Sequence, residues 1–440
     1  MSQYSLGRMY QEGQGVAKDF TAARKWLRKA ADQGFAPAQF RLGKMHQDGH
    51  GVALDKAKAR AWYQKAAEQG LASAQSILGM MWEVGEGGAQ DYAMAKKWYE
   101  KAAAQKEPSA QAGLGMLYLR GKGFDKNAEN QAKGIELLRK GAKGGFPNAQ
   151  AALGTIYLIG WGVVPPDYAQ ALNWNQKAAD QGHCEAQFRL GVMYATGRGV
   201  AQDETVARKW FQKAADQGHA KAQGSLGAFY VQGKGGEQNL SEAIKWFEKA
   251  AAKQNPIAQY ILGSFNERGT GMAQNQASAR SWYKKSAEQG YPDAQYSLGV
   301  FYFKGKGGEK NVTEAVKWVQ RAANQGLAKA QTFLGILYKK GDGADLDLDE
   351  AVKWLRKAAY QGDALAQSHL GLIYAKDHSQ PDNDINAYAW WTLSADGGDP
   401  GAKRNLPKLS SRMPADRIQQ ARKKASDLSS TIKKFGRIAD

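Results

Sequence analysis

The chain has 440 residues, 43% of them hydrophobic and 23% charged, with a formal net charge of +19. That balance is the one folded proteins have and excludes a disordered chain. A single cysteine, Cys184, excludes an intrachain disulfide, no apolar run is long enough to span a bilayer, and the basic surplus favours acidic partners.

The first ten residues, MSQYSLGRMY, enter a repeating pattern partway, with Ser2 and Gln3 in the slot that Ala-Gln fills later. The expectation is that a signal peptide has been removed and a starting Met added, which places the native protein in the periplasm or cell envelope. The alternative is a cytoplasmic chain with a clipped first helix. Next comes YQEGQGV, whose Gly13 and Gly15 have the look of a phosphate-cradling loop. The phrase returns as HQDGHGV, YLRGKGF, YATGRGV and YFKGKGG, and no Gly-Lys-Ser/Thr follows any of them. These glycines are therefore read as tight turns needing positive φ.

Anchoring on the glycine of each Leu-Gly pair gives Gly7, Gly43, Gly79, Gly115, Gly154, Gly191, Gly227, Gly263, Gly299, Gly335 and Gly371. Of the ten spacings eight are 36 residues, one is 39 and one is 37. The chain is thus a set of repeats, each cut in half by its Gly-x-Gly turn. In the first half, Ala38, Leu42, Gly43 and Met45 have helical spacing with one buried stripe. A mid-helix glycine costs about 1 kcal/mol relative to alanine, so its recurrence implies a close helix crossing.

The second half opens on Asp or Asn in all eleven units, at 19, 55, 91, 130, 167, 203, 239, 275, 311, 347 and 383. These read as N-caps of a second helix. Along it Ala23, Trp26 and Ala30 form an apolar stripe, and Trp keeps its place in ten of the eleven units, with Leu137 the exception. The indoles are expected to fill gaps between units rather than to stack on bases or sugars. The lysines of the Lys-Ala-Ala run, such as Lys29, Lys65, Lys213 and Lys249, are expected to form a solvated outer ladder with acids such as Asp32 and Glu68.

The pattern from Ala186 to Gly218, AQ-xx-LG-xx-Y-xx-G-x-GV-xx-D-xxx-A-xx-W-xx-KAA-xx-G, resembles the Sel1-like repeat family, a branch of the tetratricopeptide-type helical repeats. The resemblance covers residues 1 to about 400. It implies an all-α, right-handed α-solenoid of about eleven helix-turn-helix units whose first helices line a concave groove, used as a scaffold for partners. Family members include adaptors, bacterial envelope factors and immunity proteins that neutralise secreted effectors. The cysteine-rich branch of the family, with its antibiotic or peptidoglycan binding, does not carry over to a chain with one cysteine.

Since stacking fixes the recurring residues, recognition is expected at slots that vary on the first-helix face. Met80, Met116, Leu119 and Leu158 form an expected apolar patch, and Tyr260, Tyr296 and Phe303 an aromatic one. Arg268, Lys304, Lys339 and Lys340 add positive charge beside the aromatics, as does Lys376. This suits an acidic protein partner, with nucleic acid or a glycan as alternatives. Two irregularities interrupt the repeat: three extra residues between Gly115 and Gly154, and GWGVVPPDY with Trp161, Pro165 and Pro166. Either marks a tolerated insertion or a binding loop.

Residues 401–440 leave the repeat and form a partial first helix and a basic amphipathic helix, with Ile418, Ala421, Ala425, Leu428 and Ile432 along one stripe to close the stack. No catalytic, cofactor or metal motif is present. His46, His50, His183, His219, His369 and His378 are scattered, and the adjacent His183 and Cys184 side chains are expected to diverge.

Overall fold

The computed structural model describes residues 2–377 and 379–439, with side chains through residue 434. It is built of helices, in the order α1 Ser2–Glu12, α2 Phe20–Asp32, α3 Ala36–Asp48, α4 Lys56–Glu68, α5 Ala72–Val84, α6 Tyr92–Ala104, α7 Pro108–Arg120, α8 Ala128–Lys143, α9 Pro147–Ile159, α10 Tyr168–Asp180, α11 Cys184–Thr196 and α12 Glu204–Asp216. There follow α13 Ala220–Gln232, α14 Leu240–Ala252, α15 Pro256–Arg268, α16 Gln276–Glu288, α17 Pro292–Lys304, α18 Val312–Asn324, α19 Ala328–Lys340, α20 Leu348–Tyr360, α21 Ala364–Lys376, α22 Asn383–Asp396, α23 Pro400–Ser410 and α24 Ala415–Ala439. The fold is an all-α solenoid. It divides into two compact units, Met1–Ala222 with Lys234–Gly236, and Gln223–Gly233 with Glu237–Asp440.

Local chemistry sets the helix ends. Asp19, Asp55, Asp91, Asp167, Asp203, Asn239, Asn275, Asn311 and Asp347 each accept backbone amides at the start of a second helix. Asn130 is not a cap: Asn127 takes that place, so the three extra residues lengthen α8 instead of looping out. Asn383 is likewise the first residue inside α22, where its amide donates to Asp377.

The Leu-Gly glycine lets the two helices of a repeat touch. A Cβ at Gly43 would lie 2.8 Å from the Tyr63 ring, and one at Gly263 would lie 2.7 Å from that of Tyr283. The deepest side chain is therefore the one following the tryptophan, as with Leu27, Tyr63, Phe247 and Val319, all at most 1% exposed. The tryptophans do bridge repeats: Trp62 joins the cluster of Leu27, Ala38 and Leu42, and Trp354 that of Val319 and Leu334. The second glycine of a turn has two duties at several repeats. Gly87 has φ of 74°, and a Cβ there would also strike the backbone of Lys56 in the preceding repeat.

A buried glutamine ladder joins consecutive repeats. Gln39 donates to the Ala31 carbonyl at the end of α2, at 3.2 Å, and accepts from Gln69 at the end of α4, at 2.7 Å. Gln295, Gln325 and Ala287 repeat the arrangement in the second unit. Buried amides so paired fix the offset between repeats, which apolar contacts alone do not. At the chain's end, α24 lies against α22 and α20, with Ala421 and Ala425 buried and Leu428 and Ile432 packed on the cluster of Leu355 and Leu370.

Candidate functional site

In the first unit α5 packs on α7, α7 on α9 and α9 on α11, a closeness that consecutive second helices do not reach among the described residues. First helices thus line the inner side. On this side α7, α9 and α11 frame a pocket of about 360 Å³, lined by Met116, Leu119, Ile156, Trp161, Arg120 and Arg189, among others. Its wall is completed by the GWGVVPPDY segment, where Trp161 and Val164 exchange two backbone hydrogen bonds of 2.9 Å. The tight turn buries Val164 and leaves Trp161 45% exposed. A large apolar side chain held in solvent by an ordered turn is a ready anchor for a partner.

The polar side of the pocket is fixed in advance. Arg189 donates to the Ala151 carbonyl at 3.0 Å and pairs with Glu185 at 2.9 Å, and Glu185 lies 2.8 Å from His219. The hydrogen bond from His219 holds the Glu185 carboxyl below its ordinary range, and burial lowers the Arg189 guanidinium and the His183 imidazole. His183 Nδ1 accepts the Ala186 amide and caps α11, so it is committed to structure.

Of the four residues expected to form the apolar patch, Met80 is exposed, Met116 and Leu158 are half-buried, and Leu119 is 5% exposed. Leu119 belongs to the core. Gly134 faces Gly115 so closely that α8 is drawn onto α7 and covers it, leaving only an edge at the pocket. Trp161, not Leu119, is the large apolar side chain exposed at the pocket.

In the second unit Tyr296 and Phe303 both meet the half-buried Phe333 edge-on, with ring centroids 6.1 and 5.4 Å away. Phe333 stands two residues before its Leu-Gly glycine, a slot held by none of the residues expected from the sequence to face a partner. Tyr260 goes elsewhere, to Tyr283 and Tyr291. Arg268, Lys304 and Lys340 are exposed at the ends of α15, α17 and α19. Lys339 is half-buried and sits 2.7 Å from His369 Nδ1. Burial, then Lys340 and Lys376, lowers the Lys339 ammonium, and burial followed by Lys339 pushes the His369 imidazole down to about 4.

The outer lysines are not free. Lys29, Lys65, Lys213 and Lys249 lie 3.9–4.7 Å from the indole centroids of Trp26, Trp62, Trp210 and Trp246, while Asp32 pairs with Arg28 and Glu68 with Gln64. Among the described residues no His, Cys, Asp or Glu group is arranged to hold a metal, and no helix is long and apolar enough to cross a membrane. His378 lies outside the described residues.

The Sel1 repeat model matches eleven consecutive segments: 1–35, 36–71, 72–107, 108–146, 147–183, 184–219, 220–255, 256–291, 292–327, 328–363 and 364–399. The chain belongs to the Sel1 repeat family. No curated protein matches it. Among solved Sel1 structures, a protective antigen present in uropathogenic Escherichia coli strains, displaying an SLR fold, is 35% identical, with a TM-score of 0.80 over 99% of this chain and 92% of that one. A Sel1 repeat protein from Oxalobacter formigenes is 33% identical, with a TM-score of 0.52 over 71% of this chain and 89% of its own. Sel1 repeats generally serve as protein-interaction scaffolds.

Proposed function

We propose that the protein is a non-enzymatic bacterial scaffold that holds an acidic protein partner against its first helices. The observation that carries this reading is the Trp161 pocket, where an exposed indole, Met116 and Ile156 face Arg120 and Arg189. An apolar side chain of the partner fills it, and a neighbouring carboxylate meets the exposed Arg120, whose own pair with Glu83 is 3.5 Å long. The aromatic and basic residues Tyr296, Phe303, Lys304 and Lys340 offer the same chemistry in the second unit.

The test is affinity purification from the native organism, with the co-purifying protein identified and its affinity measured. Trp161→Ala removes an exposed side chain and leaves the fold intact, so it is expected to weaken binding by about 2 kcal/mol, roughly 30-fold. Unchanged affinity for that partner in the variant would refute the pocket's role.

A further inference from the structure

The outer side of the first unit holds a second concavity, unrelated to the Trp161 pocket. It is an open cleft of about 1010 Å³ between α2 and α4, and its cationic lining is Arg24, Lys25, Arg28, Lys29, Lys58 and Lys65. Two of these cations are compensated, Arg28 by Asp32 at 2.8 Å and Lys58 by Asp55 at 3.1 Å. Among the described residues no carboxylate pairs with Arg24, Lys25, Lys29 or Lys65. The one carboxylate lining the cleft, Asp19, is spent on the Thr21 and Ala22 amides. Like charges gathered in a concavity repel one another, and an anion seated there removes the repulsion.

Two further features define that anion. Arg28 and Lys65 both lie over the Trp62 indole, 4.9 and 4.6 Å from its centroid, so the cations are held in place before any ligand arrives. The same contacts cover a ring that is itself only 8% exposed, which leaves no face for a nucleobase to stack on. The geometry points to a binding site for a small ligand carrying several phosphate groups, either free in solution or as the headgroup of a lipid. Several phosphates are required because the cations without a carboxylate partner are spread along two helices, and one phosphate reaches only a few of them.

The site is tested by calorimetric titration of the full chain with myo-inositol hexakisphosphate, and by co-sedimentation with phosphatidylcholine vesicles with and without phosphatidylinositol bisphosphate, whose headgroup carries several phosphates. The variant Arg24→Gln/Lys25→Gln/Lys65→Gln changes exposed charges in the cleft. Lys106→Gln/Lys126→Gln/Lys143→Gln removes the same charge elsewhere. With helicity unchanged in both, the cleft variant is expected to lose on the order of tenfold or more in affinity and the control almost none. Cleft-dependent binding of acidic vesicles over the soluble probe assigns the ligand to a lipid, and the reverse assigns it to a soluble phosphate. Equal loss in both variants, no saturable binding to either probe, or cleft-dependent binding of oligonucleotides alone would overturn the proposal.

Discussion

His369 shows how one residue reports on its surroundings. In the fold its imidazole is pushed down to about 4 by burial and by Lys339, against 6.5 when exposed. As pH falls, the unfolded chain therefore takes up the proton first. This contribution to stability is complete above 6.5 and is lost progressively down to about 4. The side chain keeps some contact with solvent, which limits the loss to on the order of 1 kcal/mol. Urea unfolding across that range should show the decline in the native protein and a shallower one in His369→Asn, and equal slopes would contradict it. Gly263 makes a separate prediction. A methyl group there meets the buried Tyr283 ring, so Gly263→Ala should destabilise by about 1–3 kcal/mol, whereas alanine ordinarily favours a helix. An unfolding midpoint at or above that of the native chain would rule out the close crossing.

At the level of the helix, capping and the glutamine ladder carry the account. Asn127→Ala should cost about 1 kcal/mol and Asn130→Ala much less, because only Asn127 receives an amide with its side chain. Equivalent losses at both positions would restore the simpler repeat alignment. Gln295→Leu removes two buried hydrogen bonds, from Gln325 and to the Ala287 carbonyl, while Gln325 keeps the Gly290 carbonyl and Ala287 the Gly290 amide, and should cost about 1–3 kcal/mol. Helix pairing, turn glycines, most caps and the bridging tryptophans were legible in the sequence because each answers a rule that repeats with the chain. What was not legible depended on a distance. Whether Leu119 faces outward turns on how near Gly134 comes to Gly115, and nothing in a periodic pattern states that. The Gln ladder was visible as letters, but its partners lie about 30 residues away in the neighbouring repeat. The segment at Trp161 was noticed as an irregularity, yet its exposure comes from the two-bond turn that buries Val164 in its place.

For the molecule as a whole, the proposed function rests on the variable first-helix slots, and the surplus of 61 Lys and Arg over 42 Asp and Glu is the reason for proposing an acidic partner. Reversing charge at Lys304 and Lys340 together with Phe303→Ala should abolish binding of that partner while leaving the unfolding transition in place. Loss of both together would instead assign these residues to stability. The most direct measurement is hydrogen–deuterium exchange on the complex with the co-purified partner. The account predicts added protection along the first helices α7, α9 and α11 and in the turn at Trp161. Protection confined to the second helices, with the amides around Trp161 exchanging as in the free protein, would contradict it.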